Sequence, residues 1–174
     1  MFDLNQSQIK KTEPTLQKIK TQVEEAKNLS YDQMRSRIKE MKSELALITA
    51  KIPEQDKLSL KKIDRTKGLP AYEKEIQSKL MEFLPEVYAF MGEIYRRKLG
   101  FTYHDVQYRA GIILAQGQRL IELYTGEGKT MTFQLPLFLY ALAGRGTHLV
   151  TVNDYLSRRD GEYAGHIAAE LGLT

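Results

Sequence analysis

Thr125-Gly126-Glu127-Gly128-Lys129-Thr130 is a run whose residue types and order suit the holding of a polyphosphate. Glycines let backbone N–H groups curl around an anion with no Cβ in the way. Lys129 can set its ammonium against β and γ phosphates, and Thr130 can offer a hydroxyl to Mg²⁺. A helix starting at Lys129 would turn its positive end toward the same anion. The expected ligand is a nucleoside triphosphate with Mg²⁺. Thr125, Gly126, Glu127, Gly128, Lys129 and Thr130 are its candidate contacts, Lys129 and Thr130 are the candidate catalytic pair, and Thr130 is the candidate metal contact.

The match to the full phosphate-loop (Walker A) pattern is partial, because Leu123 stands where that pattern has its first glycine. Context adds to it. Arg119 to Leu123 reads as a short strand, and Met131 to Ala143 places Phe133, Leu137, Leu139 and Tyr140 at helical spacing. Strand, glycine-rich loop and helix is the order that the mechanism requires. An ordinary surface turn is the bland alternative, and that order argues against it.

A length of 174 residues suits one domain, or one domain with an appendage. A hydrophobic share of 42% and a charged share of 28% are ordinary for a globular chain. No apolar run reaches ~18 residues, and the N-terminus lacks a basic start followed by an apolar core. With no cysteine there is no disulfide framework and no thiolate zinc site, which fits a reducing cytoplasm. The net charge of +4 resides in residues 1–65, with 14 Lys+Arg against 10 Asp+Glu. An acidic partner such as anionic lipid or nucleic acid would therefore meet that arm, and a solvated helix surface is the plainer reading of any single lysine.

Residues 5–28 read as a polar helix interrupted at Pro14, with Leu16, Ile19, Val23 and Ala26 on one side. Ser30 with Gln33 forms a capping-box signature. Met34, Ile38, Met41, Leu45 and Ile48 make a packing stripe down the next helix. Lys51 to Leu69 reads as a linker or insertion. Pro70 opens a further helix, Leu84-Pro85 is expected to break or restart it, and Gly100 stops it. Asp105 caps a short helix that ends near Gly117. From Arg119 the pattern becomes strand, helix, strand, helix, with Thr147 to Val152 as the second strand and Asp154 to Gly172 as the last helix. Asn153 or Asp154 reads as the cap of that helix rather than as a magnesium carboxylate. The fold class expected is α/β, an incomplete parallel sheet after an all-helical N-terminal region. The division expected is 1–69 for the helical arm and linker and 70–174 for the start of a nucleotide-binding domain. Two parallel strands cannot cover both faces of such a domain, so the chain reads as the N-terminal piece of something larger.

The residues also resemble a known family. Phe83-Leu84-Pro85-Glu86-Val87-Tyr88-Ala89, His104-Asp105-Val106-Gln107, Glu122 to Thr130 and Gly146 to Asp160 are similar to segments of the SecA family, the motor ATPases of bacterial preprotein export. The likeness is dense from about Leu84 to Leu173 and faint over residues 1–50. It implies a P-loop, helicase-like motor fold with ATP and Mg²⁺ as ligands. Gln107 inherits contact with adenine, and Gly126 through Thr130 inherit the phosphate and magnesium contacts. Asp154 is then not the magnesium carboxylate, and Arg158 and Arg159 match the family's arginine pair.

The implied partners are the Sec translocon channel (SecYEG) and unfolded preproteins. Anionic phospholipid at the basic arm and a homodimer are compatible with the resemblance, and nucleic acid is not expected. The implied place is the cytoplasmic side of the membrane, peripherally bound. The whole motor would couple ATP hydrolysis to translocation, and residues 1–174 alone are expected to hydrolyse ATP negligibly. A nucleic-acid helicase of the same fold and a truncated, non-catalytic nucleotide-binding module are the alternatives. Departures from the family are Tyr108-Arg109-Ala110-Gly111 in place of L-I-G-G, Tyr124 in place of a basic residue, and an insertion or a remodelled N-terminal region over 46–80.

Overall fold

A computed structural model of the chain describes residues 4–53, 69–117 and 119–173. Its helices are α1 (Leu4–Lys11), α2 (Glu13–Ala26), α3 (Tyr31–Thr49), α4 (Ala71–Leu99), α5 (Asp105–Ala115), α6 (Lys129–Ala141) and α7 (Asp154–Glu170). The linker expected over 51–69 lies largely outside the described residues.

The interruption in the first helical stretch falls at Thr12 rather than at Pro14. Proline suits the first turn of a helix, where its missing N–H costs no bond, so α2 starts just before it. The Thr12 N–H and hydroxyl both donate to the Ile9 carbonyl, at 3.0 and 2.6 Å, which seals the end of α1. Ser30 caps α3 as its sequence suggests: its hydroxyl accepts from the Gln33 N–H, and the Gln33 side chain accepts from the Ser30 N–H. The stripe Met34, Ile38, Met41, Leu45 and Ile48 is buried throughout. Each such side chain gains about 1.5–3 kcal/mol from leaving water.

α4 is one unbroken helix of 29 residues. The break expected at Leu84-Pro85 does not occur. Proline there forgoes one backbone bond and crowds the preceding turn. The loss is outweighed because Phe83, Leu84, Pro85, Val87 and Tyr88 are all buried at the centre of the molecule. Gly100, in the left-handed region at φ 65°, ends the helix. α2 and α3 pack against α4, α5 and α6 pack against each other and against α4, and α2 also meets α5. One hydrophobic cluster runs through all of them.

The altered stretch Tyr108-Arg109-Ala110-Gly111 fits this packing. A Cβ on Gly111 would crowd the Leu135 and Tyr88 side chains, so α5 and α6 meet closely there. Arg109 reaches back to the α1–α2 junction, donating to the Ile9 carbonyl, the Thr12 hydroxyl and the Glu13 carboxylate.

The expected parallel sheet is not formed among the described residues. Residues 119–124 and 146–151 run without regular secondary structure and pair with no strand. Leu120 is 99% exposed, and Val150 and Val152 are each 89% exposed. A parallel ladder needs both faces covered, and the described helices pack on each other instead. The architecture of the described residues is therefore helical, with two irregular segments partly exposed at its surface.

Candidate functional site

The glycine-rich loop joins the irregular segment 119–124 to α6. It is bent, not extended. Gly126 and Gly128 take φ values of 93° and 75°, a region that side-chain-bearing residues rarely adopt. Two bonds close the bend on itself: the Glu127 N–H donates to the Tyr124 carbonyl at 3.3 Å, and the Glu127 carboxylate accepts from the Tyr124 N–H at 2.9 Å. Among the described residues, the N–H groups of Gly126, Gly128, Lys129 and Thr130 donate to no protein acceptor. Four unclaimed donors at a helix N-terminus favour negative charge nearby.

α6 begins at Lys129, where the sequence places it. The Lys129 ammonium donates to the Tyr124 carbonyl at 2.7 Å, so it lies across the loop it belongs to. Thr130 is half-buried and opens on a cleft of about 520 Å³, whose other walls include Tyr95, Phe101, Gln134, Arg159 and Asp160. Thr125 is exposed, and Glu127 through Thr130 are half-buried. The structure thus brings Gly126, Glu127, Gly128, Lys129 and Thr130 together as one loop.

Gln107 sits behind that loop rather than in front of it. It is 2% exposed. Its amide oxygen accepts from the His104 N–H at 2.9 Å, and its amide nitrogen donates to the Glu127 carbonyl at 3.0 Å. The side chain therefore links the start of α5 to the crown of the loop. A Cβ on Gly128 would strike the same amide.

A tyrosine cluster supports the site from beneath. The Tyr103 hydroxyl donates to the Met131 carbonyl in the first turn of α6 at 3.1 Å. Its ring meets Tyr95 edge-on at 5.4 Å and stacks on Tyr108 at 5.1 Å. The Tyr95 hydroxyl bonds the Gln134 side chain, and the Tyr88 hydroxyl donates to the Gly111 carbonyl at 2.9 Å. Burial pushes the phenols of Tyr88, Tyr95, Tyr103 and Tyr108 above their ordinary range.

Asn153 is the cap of α7, its side chain accepting from the Leu156 N–H at 2.9 Å. Asp154 follows it as an exposed first-turn residue. Sequence reasoning did not single out Asp160. It is 7% exposed and accepts from Arg159 through two nitrogens at 2.9 and 2.7 Å, while Arg159 Nη2 also reaches the Thr130 hydroxyl at 3.5 Å. The only sequence signal for that contact was the arginine pair itself.

The free amides, the left-handed glycines and the placement of Lys129 and Thr130 fit a polyphosphate with its magnesium ion. Among the described residues, no cluster of three or more His, Asp or Glu could hold a metal alone.

Known proteins resemble this chain in sequence. A family model described as the SecA DEAD-like domain matches residues 1–174. The protein named protein translocase subunit SecA from Herpetosiphon aurantiacus is 38% identical over 180 residues, covering 99% of this chain and 17% of that protein. The like-named protein from Carboxydothermus hydrogenoformans is 43% identical over 150 residues, covering 85% and 17%. That from Synechococcus elongatus is 50% identical over 113 residues, covering 65% and 12%. The chain thus spans less than a fifth of the length of these relatives.

Proposed function

The chain belongs to the SecA DEAD-like domain family, and from that premise we propose that it is the ATP-binding part of a preprotein translocase motor. The observation that carries the proposal is the loop of Gly126 to Thr130, curled by left-handed glycines, with its amides unclaimed among the described residues. Unclaimed backbone N–H groups, a helix N-terminus and a lysine suit the β and γ phosphates of ATP. Lys129 would leave the Tyr124 carbonyl to meet them, and the Thr130 hydroxyl would meet Mg²⁺. Bound magnesium would neutralise phosphate charge as the terminal phosphoryl group is transferred.

The adenine contact inherited by Gln107 is part of this reading in an altered form. Its buried amide already serves His104 and Glu127, so it holds the loop's shape, and only one N–H and one lone pair remain for a base. The helicase-like sheet is part of the reading too. Leu120, Val150 and Val152 are exposed apolar residues outside the helices, the composition of strands that further strands would cover.

In the whole motor, ATP turnover would drive preproteins through the translocon channel from the cytoplasmic side of the membrane. No helix among the described residues is long and apolar enough to cross a membrane. The basic N-terminal arm could meet anionic lipid. Residues 1–174 alone should bind ATP and turn it over negligibly, because such motors assemble their full set of charge-neutralising groups from further segments.

Calorimetric titration with ATP and Mg²⁺, on the wild-type chain and on Lys129→Ala, tests this. Binding that Lys129→Ala abolishes supports the proposal. No heat with the wild type would favour a non-catalytic docking module. Salt-dependent capture of single-stranded DNA without ATP binding would favour a nucleic-acid protein.

A further inference from the structure

Next to Thr130 lies a charged pair that the loop does not use. Asp160 is on a helix whose neighbouring positions face solvent, yet it is 7% exposed. The Arg159 Nε and Nη2 atoms both donate to its Oδ1, at 2.9 and 2.7 Å. Successive residues on a helix point away from each other, so helix geometry does not bring this pair together unaided. The arginine has to fold back, and doing so carries Nη2 to 3.5 Å from the Thr130 hydroxyl. Nη1 donates to nothing among the described residues. One edge of the guanidinium is therefore anchored, and the other presents two unused N–H groups at the wall of the cleft that Thr130 opens on.

An anchored guanidinium is a good anion contact. Its fork is rigid and always charged, and the rotamer entropy that binding would otherwise cost is already spent in the Asp160 bonds. Resting on the nucleotide-binding reading above, we propose that Arg159 is a second phosphate contact, aimed by Asp160 at the terminal phosphate end of a nucleoside triphosphate held by the loop. Lys129 comes from the loop and Arg159 from α7. A triphosphate would thus bridge α6 and α7, and a shorter nucleotide would do so less well.

The test compares the 174-residue chain with Arg159→Gln, Arg159→Lys, Asp160→Asn and Arg158→Gln, titrated with MgATP and with MgADP at two salt concentrations. Arg159→Gln should weaken ATP binding about ten-fold and ADP binding less, since a charge-assisted bond to phosphate is worth about 1.5 kcal/mol. It should also flatten the salt dependence. Arg159→Lys and Asp160→Asn should fall between it and the wild type, and Arg158→Gln should match the wild type. If Arg159→Gln does not fold by circular dichroism, Arg159→Lys and Asp160→Asn carry the comparison. Equal loss for ATP and ADP, or ATP affinity within about two-fold of wild type across the Arg159 and Asp160 variants, would overturn the proposal. Absence of ATP binding by the wild type would overturn the nucleotide reading and this proposal with it. Binding that Lys129→Ala abolishes and Arg159→Gln spares would overturn this proposal alone.

Discussion

A methyl group on Gly128 would collide with the amide nitrogen of Gln107, a side chain 20 residues or more away in sequence and buried behind the loop. Two constraints therefore meet at Gly128. Its φ of 75° disfavours any L side chain, and the space a Cβ needs is filled. Gly128→Ala should destabilise the chain by about 1–3 kcal/mol from backbone strain alone. It should also lose ATP binding, because relieving the collision moves either the loop or Gln107. Gly144→Ala is the control: its φ is 66°, but nothing lies within 4 Å of its added Cβ. Thermal melting should show both variants strained, and titration should show only Gly128→Ala defective in binding.

Gln107 can be separated into its two halves. Its oxygen satisfies the His104 N–H and its nitrogen satisfies the Glu127 carbonyl. Gln107→Ala removes both and should cost about 1–3 kcal/mol, the penalty for stranding buried polar groups. Gln107→Glu keeps an acceptor for His104 but turns a carboxylate oxygen onto the Glu127 carbonyl. Repulsion there should push the crown of the loop outward. If Gln107 shapes the loop, ATP and inorganic triphosphate should weaken together in both variants. A loss confined to ATP, with triphosphate unaffected, would return Gln107 to a role at the base alone.

Much of this was legible in residue order, and the exceptions share a cause. Met34 to Ile48 announced its buried face because helical period is written into one segment. Ser30, Asn153, Gly100 and the start of α6 at Lys129 were legible because caps and stops are local chemistry. Pro85 misled because the burial that keeps α4 intact comes from helices far away in sequence. Thr147 to Val152 has strand composition, but pairing is a tertiary event, and the described chain leaves Val150 and Val152 exposed. Arg159 and Asp160 were opaque because adjacent helical residues give no hint that one will curl back over the other.

The tyrosine cluster contributes to the alkaline fall in stability. Tyr88, Tyr95, Tyr103 and Tyr108 are held above the ordinary phenol value by burial. A raised folded pKa means the unfolded chain loses its phenolic protons first. Their contribution is therefore complete below about pH 10 and is lost as pH rises beyond it. Melting temperature should be flat from pH 7 to 9 and fall steeply above 10. Absorbance at 295 nm should show a late, steep step in which Tyr88, Tyr95, Tyr103 and Tyr108 ionise only on unfolding. One smooth step with an unchanged melting temperature would show that the cluster is wet. Tyr103→Phe should lose the bond to the Met131 carbonyl and melt lower at neutral pH, by about 1 kcal/mol.

Glu93 is the buried contributor on the acid side, beside the exposed Glu13 and the part-buried Glu170, whose carboxyls are also held low. Its side chain is fully buried, and its carboxylate accepts from Arg96 at 2.7 and 2.8 Å and from Arg97 at 2.5 Å. The Arg96 hydrogen bonds, followed by those of Arg97, hold it below the usual carboxylate range. A lowered folded pKa gives stability that is present above the ordinary value of about 4.3 and lost as pH falls through the folded one. Arg97 also donates to the Ala26 and Lys27 carbonyls at 3.1 and 3.0 Å, so Glu93 aims the arginine that closes the end of α2. Glu93→Ala leaves Arg97 uncompensated and frees that helix end together, and should cost about 3 kcal/mol. Glu93→Gln keeps an acceptor and should cost less, while flattening the fall in melting temperature between pH 5 and 3. An Arg97→Ala, Glu93→Ala double variant should be less destabilised than the two single variants summed, since each removes the same contact. Strict additivity would mean that the pair acts through separate neighbours and that α2 is anchored by its apolar face alone.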